Sequence, residues 1–356
     1  MVKRKLVWLA LLIMAAIFIA GCANKYKTSG KIAMGSKNWD KAVSDFQKAL
    51  EQTPNDGEIH YLMALIYKEK GEYKNMIPHL NAADTLYTKG EKKVAELREG
   101  TWKELFDAGN NDTKSENYEK ATDEFQTAIA FEPKNYAAYT NAGYVWQKRQ
   151  NGDSAYYYFS EAYRIEPQNI KVIENLASLS FNQKKYPQAD SLYAMILEKD
   201  PKHSEAMIRR GMIAGINGNN EVAVNFYNSA LQLEPDNCDL WFNLGLLYFQ
   251  QIKNDEEALK KDSLRDEALK EEALKSFTRA VELCPEDVEA HINLNVTLMT
   301  LQRFDEAMQN LETFTQDFPN ECVGWDLYSQ ALLRKGLKSQ ALEAADKYEE
   351  CKKSSQ

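Results

Sequence analysis

The sequence predicts an all-α fold built from a repeated pair of helices, and two observations carry this prediction. The first is composition: Ala, Leu, Glu and Lys dominate, Gly and Pro number only 16 and 9 among 356 residues, and alternating strand-like runs are absent. The second is a period of 34 residues between successive prolines, at Pro133, Pro167, Pro201 and Pro235, and again between Pro285 and Pro319. A period of this length is typical of a solenoid of helical hairpins, in which each hairpin buries its apolar face only against its neighbours.

Small and aromatic residues hold fixed positions between these prolines. Residues 136–169 carry Tyr139, Ala142, Gly143, Trp146, Ala155, Phe159, Ala162 and Pro167; residues 204–237 carry Gly211, Ala223, Tyr227, Ala230 and Pro235; residues 170–203 carry Leu176, Ala177, Ala189, Tyr193 and Pro201. The small residues let two antiparallel helices approach, and the aromatic rings fill the space between them. This pattern resembles the tetratricopeptide repeat. The resemblance implies a right-handed superhelical solenoid whose concave wall consists mainly of the first helix of each hairpin.

Laying the repeat over the chain predicts about nine hairpins in the mature part, residues 22–356. They are expected near 23–56, 57–90, 102–135, 136–169, 170–203, 204–237, 238–287, 288–321 and 322–356. Two charged helical insertions depart from the period, at 91–101 and at 252–270, and the second belongs to a stretch that reads EEALK at both 256 and 271. The second insertion is either a lengthened, solvated hairpin tip or a protruding contact for a partner.

Residues 1–21 have the pattern of a secretion signal. A basic start at Lys3–Lys5 precedes an apolar run from Leu6 to Ala20 that is shorter than the roughly 20 residues a membrane span needs. The run ends in Ile19-Ala20-Gly21-Cys22, which resembles the lipobox of bacterial lipoproteins. The resemblance implies cleavage before Cys22, acyl chains on that cysteine and firm membrane attachment. Ala23 after the cysteine implies the outer membrane, facing the periplasm; the alternative is an uncleaved anchor in which Cys22 is incidental.

The charge and the motif content exclude several function classes. The formal net charge is -9, and loss of the leader with its three basic residues leaves -12, which argues against nucleic acid as a partner. The sequence has no HExxH, GxxxxGK or GxSxG motif and no Cys/His spacing for a metal. Its four histidines, at 60, 79, 203 and 291, are scattered along the chain. We therefore expect no catalysis, no metal and no cofactor.

The first helices of several hairpins carry an additional apolar stripe at spacings of three and four residues. The positions of this stripe hold Ile208, Met212, Phe242, Leu246, Phe249, Ile292 and Val296. The family resemblance makes this wall the ligand groove, and an apolar peptide or amphipathic helix would lie there. The alternative is that these side chains pack adjacent first helices together.

Asparagine recurs at one position of four first helices, although it is a poor residue for a helix interior. The four are Asn141, Asn175, Asn243 and Asn293, and Tyr144 lies one turn after the first of them. In some members of the family such a ladder holds the backbone of an extended peptide. Arg209 interrupts it in the sixth hairpin, and the alternative is that each amide satisfies a neighbouring backbone or is inherited with the repeat.

Four cysteines remain beyond Cys22, an even number in an exported protein. Cys238 and Cys284 open and close the seventh hairpin, and Cys322 and Cys351 lie near the two ends of the ninth. The start of the first helix lies beside the end of the second in an antiparallel hairpin, so we predict disulfides between Cys238 and Cys284 and between Cys322 and Cys351.

These features predict a membrane-anchored scaffold that binds a protein or peptide on the periplasmic side of a cell envelope, in assembly, secretion or the regulation of envelope enzymes. Two other classes stay open. One is a structural subunit held permanently in a larger machine, and the other is an enzyme whose active site the motifs do not reveal.

Overall fold

The computed structural model describes residues 25–254 and 262–354. Within these ranges the chain is helical and has no β-strand, as predicted. The chain forms two compact units that divide between Gln183 and Lys184. The predicted signal peptide and Cys22 lie outside the described residues.

The N-terminal unit consists of helices that pair in chain order. They are α1 (25–35), α2 (Trp39–Gln52), α3 (Gly57–Glu69), α4 (Tyr73–Leu86), α5 (Glu91–Lys114), α6 (Tyr118–Phe131), α7 (Tyr136–Lys148), α8 (Gly152–Ile165) and α9 (Ile170–Asn182). The pairs α3–α4, α5–α6 and α7–α8 pack as hairpins, and the second helix of each hairpin packs on the first helix of the next.

The C-terminal unit repeats this arrangement. Its helices are α10 (Tyr186–Lys199), α11 (Ser204–Ile216), α12 (Asn220–Leu233), α13 (Cys238–Asn254), α14 (Ser263–Leu283), α15 (Val288–Thr300), α16 (Phe304–Asp317), α17 (Cys322–Arg334) and α18 (Lys338–Ser354). The hairpins are α11–α12, α13–α14, α15–α16 and α17–α18. Each stacks on its neighbour, so consecutive hairpins in this unit share their apolar faces.

A glycine facing an aromatic ring sets the closeness of the two helices in several hairpins. A Cβ placed on Gly143 would lie only 2.7 Å from Phe159 Cδ1. The same opposition recurs at Gly30 and Phe46, Gly109 and Phe125, Gly211 and Tyr227, and Gly245 and Phe277. All five rings are buried. The period of small and aromatic residues therefore specifies a direct contact, as the sequence predicts.

Eight turns between helices in the described ranges each have one residue in the left-handed region of backbone conformation. These residues are Lys37, Gly71, Glu116, Gln150, Lys184, Gly218, Gln302 and Gly336. They recur every 34 residues wherever no insertion intervenes. In the turn at Gln150, the N–H of Asn151 donates to the carbonyl of Trp146 at 3.0 Å, which closes the end of the helix as in a Schellman motif.

The two insertions are both built into helices. Residues 91–101 become the start of α5, where Val94 and Leu97 are buried and Arg98 donates to the carbonyl of Phe131 at 3.0 Å. The second insertion lengthens α13 and α14, although residues 255–261, which include the first EEALK, lie outside the described range. At the start of α14, Leu264 is 80% exposed. The described part of this insertion thus fits the lengthened, solvated hairpin.

Four hairpins share a hydrogen bond that the sequence reasoning missed. An aromatic N–H near the start of the first helix donates to the carbonyl of the proline six residues earlier. The pairs are Trp241 and Pro235 at 2.9 Å, Trp325 and Pro319 at 3.1 Å, His60 and Pro54 at 3.1 Å, and His291 and Pro285 at 2.9 Å. Each bond ties the loop between hairpins to the following helix.

Two of the four histidines, although they are apart in the sequence, meet in the fold. His60 on α3 and His79 on α4 face each other across one hairpin, with their Nδ1 atoms 2.9 Å apart. Because His60 Nε2 faces a carbonyl and must donate, its Nδ1 accepts the bond from His79. Burial, together with the nearby His60, lowers the pKa of His79 to about 4.

We expect this pair to make the α3–α4 hairpin sensitive to acid. The unfolded chain takes up a proton at His79 near the ordinary pKa of about 6.5, whereas the folded hairpin resists it until about pH 4. Stability should therefore fall as the pH decreases from about 6.5 towards 4. Hydrogen exchange of the α3 and α4 amides, compared between about pH 6.5 and about pH 4, measures this loss of stability.

The control separates this site from other titrating groups. His79→Phe should flatten the pH dependence, because the stacking surface against Tyr67 is kept while the proton site is removed. His203→Asn keeps an acceptor for the Ala206 N–H at the start of α11 and should retain the dependence. An equal pH dependence in His79→Phe and the unsubstituted chain would contradict the assignment.

Candidate peptide-binding surface

The predicted apolar stripe of the C-terminal unit lies on α11, α13 and α15. We call the side of these helices that carries Ile208, Met212, Phe242, Leu246, Phe249, Ile292 and Val296 the first-helix surface. All of these side chains are half-buried except that of Leu246, which is 38% exposed. The surface therefore presents apolar groups to solvent without being fully open.

The half-burial arises because most of the stripe also packs inside the unit. The rings of Phe242 and Phe249 lie 5.8 and 6.0 Å from the ring of Phe277, which belongs to the second helix of the same hairpin. Ile208 and Met212 pack against the core cluster that contains Leu240, Leu244 and Leu247. The alternative interpretation, packing within and between hairpins, thus applies to these four residues, and Leu246 is the one that projects.

An open depression of about 690 Å³ continues this surface between α15 and α17. Its lining is Val296, Met299, Thr300, Gln302, Phe304, Leu327, Gln330 and Arg334. Its lining combines apolar side chains with amide and hydroxyl groups and one guanidinium. Of the predicted residues, Val296 lines this depression.

The four predicted asparagines do not form one continuous ladder. Asn141 donates to Asn110 Oδ1 on the preceding first helix at 2.7 Å, and Asn293 donates to the carbonyl of Glu289 in its own helix at 2.8 Å. Asn175 and Asn243 make no hydrogen bond within the described chain, and both are half-buried. Their amides therefore keep donors and acceptors available to a ligand.

Arg209, which occupies the same position in α11, is turned to a local partner. Its Nε donates to Glu205 Oε1 at 2.6 Å, one helical turn earlier. In the N-terminal unit, Tyr144 is 45% exposed, and Lys148 Nζ lies 5.4 Å from the centre of its ring. Tyr144 thus presents an exposed ring on α7, one turn after the half-buried Asn141.

Two disulfides hold the bases of hairpins in the C-terminal unit. Cys238 is joined to Cys284 and Cys322 to Cys351, with Cα atoms 6.0 and 5.5 Å apart. These are the pairs the sequence predicts. Each connects the start of a first helix to the end of its second helix and so fixes the hairpin that carries part of the first-helix surface or of the depression.

The described residues contain no cluster of three or more side chains able to hold a metal ion. Across residues 25–254 and 262–354, no helix has the length and apolar character required to cross a bilayer.

Comparison with protein families identifies the repeat. Models described as tetratricopeptide repeat match residues 46–77 and 147–207, and a model described as TPR repeat matches residues 216–251. The chain therefore contains tetratricopeptide repeats, as its spacing of small and aromatic residues predicts.

Curated relatives share parts of the chain at low identity. Human protein O-mannosyl-transferase TMTC3 is 26% identical over 251 residues, which cover 65% of this chain and 26% of that protein. Hsp70-Hsp90 organizing protein 3 of Arabidopsis thaliana is 25% identical over 243 residues, covering 60% and 43%. The chain thus spans 26% of the length of the human protein and 43% of the length of the Arabidopsis protein.

A solved tetratricopeptide repeat protein from Parabacteroides merdae has a similar fold. It is 18% identical to this chain, covers 71% of it with 93% of its own length, and gives a TM-score of 0.50. This likeness agrees with an all-α fold of stacked hairpins.

Proposed function

We propose that the chain is a non-catalytic scaffold that binds a protein or peptide through the first helices of its hairpins. The observation that carries the proposal is the partly exposed apolar surface at Leu246, which continues into the depression beside Val296. Support comes from the tetratricopeptide repeats, and from a relative whose name describes the organising of Hsp70 and Hsp90.

We further propose that the scaffold is attached by lipid on Cys22 to a bacterial membrane, the outer membrane, and faces the periplasm. The basis is the basic start, the short apolar run and the Ile19-Ala20-Gly21-Cys22 sequence. Two disulfide pairs in the C-terminal unit suit an exported protein.

Metabolic labelling with palmitate tests the anchor. The unsubstituted chain should incorporate label and partition into detergent, whereas Cys22→Ser should do neither. The double variant Cys322→Ala/Cys351→Ala keeps Cys22 and should still be labelled. Equal labelling of Cys22→Ser would refute lipidation at this residue.

Capture of partners from detergent-solubilised envelopes of the native bacterium tests the binding surface. Substituting Phe242 would disturb the contact with Phe277, so the sharper variant is Leu246→Asp, which places a charge on an already exposed side chain. We expect it to reduce capture by at least about ten-fold, since a carboxylate in an apolar contact costs more than 1.4 kcal/mol.

Leu233→Asp is the matched control, because Leu233 on the second helix α12 is also 38% exposed. It should leave capture unchanged. Equal capture by Leu246→Asp and the unsubstituted chain, with both folded by circular dichroism, would move the contact away from the first-helix surface. Stoichiometric capture that resists salt and exchange would instead indicate a permanent structural subunit.

A further inference from the structure

The first-helix surface of the C-terminal unit has an acidic border along the first turns of its helices. Glu205, Asp239 and Glu289 occupy the same position in the first turns of α11, α13 and α15. Residues three, four and seven positions later in a helix share its face. Each carboxylate therefore lies one turn before an apolar pair of the surface, as Asp239 lies before Phe242 and Leu246.

The loops that lead into α13, α15 and the next first helix, α17, add to the same border, because Asp236, Glu286 and Glu321 are exposed there. The loop before α11 exposes Lys202. Asp236 is paired with Arg279, and Glu205 with Arg209. Within the described residues, Asp239 and Glu289 are exposed and have no ion pair, so their charges act outward.

The other end of the surface carries charges of both signs, because Asp305 and Glu306 are exposed in the first turn of α16 and Asp305 is paired with Lys335. Around the depression, one exposed cation, Arg334, accompanies neutral groups such as Thr300 and Gln330. Along a first helix, the surface thus leads from carboxylates in the first turn to apolar side chains in the following turns. A ligand that lies across the helices meets a negative border along one flank and an apolar strip along the other.

We propose that this surface receives a basic amphipathic helix of a partner protein, with its apolar face on the strip and its lysines or arginines along the acidic border. The inference rests on the proposed function, because it requires that the first-helix surface bind protein. The size is suitable: α11, α13 and α15, together with α17 beyond the depression, are four successive first helices, and at about 9 Å apart they extend over about 27 Å. A helix of about 18 residues has this length.

Three labelled 18-residue peptides serve as probes for the full chain in non-ionic detergent, with empty micelles titrated as the blank. The first has leucines on one helical face and lysines on the other, the second has glutamates for the lysines, and the third has serines for the leucines. We expect the leucine/lysine peptide to bind at least about ten-fold more tightly than either other peptide at low salt. The advantage over the glutamate peptide should shrink as salt shortens the Debye length from about 30 Å to about 3 Å.

A pair of matched variants locates the charge effect. Asp239→Asn/Glu289→Gln removes two border charges and should weaken the leucine/lysine peptide about five-fold. Glu198→Gln/Glu221→Gln removes two exposed charges from second helices of the same unit, and Glu221 is likewise in a first turn. This control should bind like the unsubstituted chain.

The outcomes separate this inference from the proposed function. Equal binding of the lysine and glutamate peptides, absence of binding by the lysine peptide, or an equal loss in the control pair would each overturn the basic helix as the ligand. Capture of a native partner that still depends on Leu246 would then leave the scaffold function in place. Capture that is indifferent to Leu246 would count against the proposed function itself.

Discussion

Gly143→Ala should lower the stability of the α7–α8 hairpin by about 1 to 3 kcal/mol, although alanine is the better helix former. The added Cβ would lie 2.7 Å from two carbons of the buried Phe159 ring, closer than packed atoms approach. The ring is enclosed, so the two helices must separate or the ring must leave its rotamer. Hydrogen exchange of the α7 and α8 amides measures the loss locally, which suits a stacked repeat better than one global unfolding midpoint.

Gly100→Ala is the control for this prediction. Gly100 lies inside α5, and a Cβ there would have no neighbour within 4 Å. It should therefore gain up to about 1 kcal/mol from helix propensity alone. The double variant Gly143→Ala/Phe159→Leu should recover part of the loss, because the smaller side chain leaves room for the methyl group. If Gly143→Ala were as stable as Gly100→Ala, the glycine would not be setting the helix separation.

This contact explains why the fold was accessible from the sequence. The spacing of 16 residues between Gly143 and Phe159 recurs between Gly109 and Phe125, and the 16-residue insertion lengthens it to 32 between Gly245 and Phe277. Because the repeat fixes the positions of both residues in this contact, it determines how closely the two helices pack as well as where the helices lie. The hairpins and their disulfide pairs follow from that geometry, because it brings the two ends of each hairpin together.

The burial of the predicted binding residues could not be predicted from the repeat spacing in the same way. Helical spacing places Phe242, Leu246 and Phe249 on one face, but it does not say how far each ring reaches. Both phenylalanines extend to Phe277 and are half-buried, whereas the shorter leucine between them remains exposed. Side-chain length and the position of the opposing ring decide this, and only the packed hairpin contains both.

The histidine pair shows a different limit. His60 and His79 are 19 residues apart in the sequence. This separation predicts a contact only once α3 and α4 are placed antiparallel in one hairpin. The signal was nevertheless present in the repeat, since His60 and His79 occupy positions of α3 and α4 that come together when the two helices lie antiparallel. Comparing the residues of α3 with those of α4 across the hairpin, and not only along each helix, would have predicted the contact.

Removing the Cys322–Cys351 disulfide should cost the α17–α18 hairpin about 3.5 kcal/mol. The bond closes a separation of 29 residues, and the loss of chain entropy in the unfolded state for a loop of this size has that magnitude. Within the described chain this hairpin packs on α16 on one side, so it draws less stability from neighbours than an inner hairpin does. Cys322→Ala/Cys351→Ala should accordingly expose α18 to exchange and to limited proteolysis before the rest of the unit.

The second disulfide provides the comparison. Cys238→Ala/Cys284→Ala opens a longer separation of 46 residues, which by chain entropy alone would cost slightly more. The α13–α14 hairpin, however, packs against α12 on one side and α15 on the other, and these contacts resist its local opening. We therefore expect α18 to open by itself in the first variant, whereas α13 and α14 open only together with their neighbours in the second. Independent opening of α13 and α14 would mean that covalent closure, and not stacking, holds the inner hairpins of this unit.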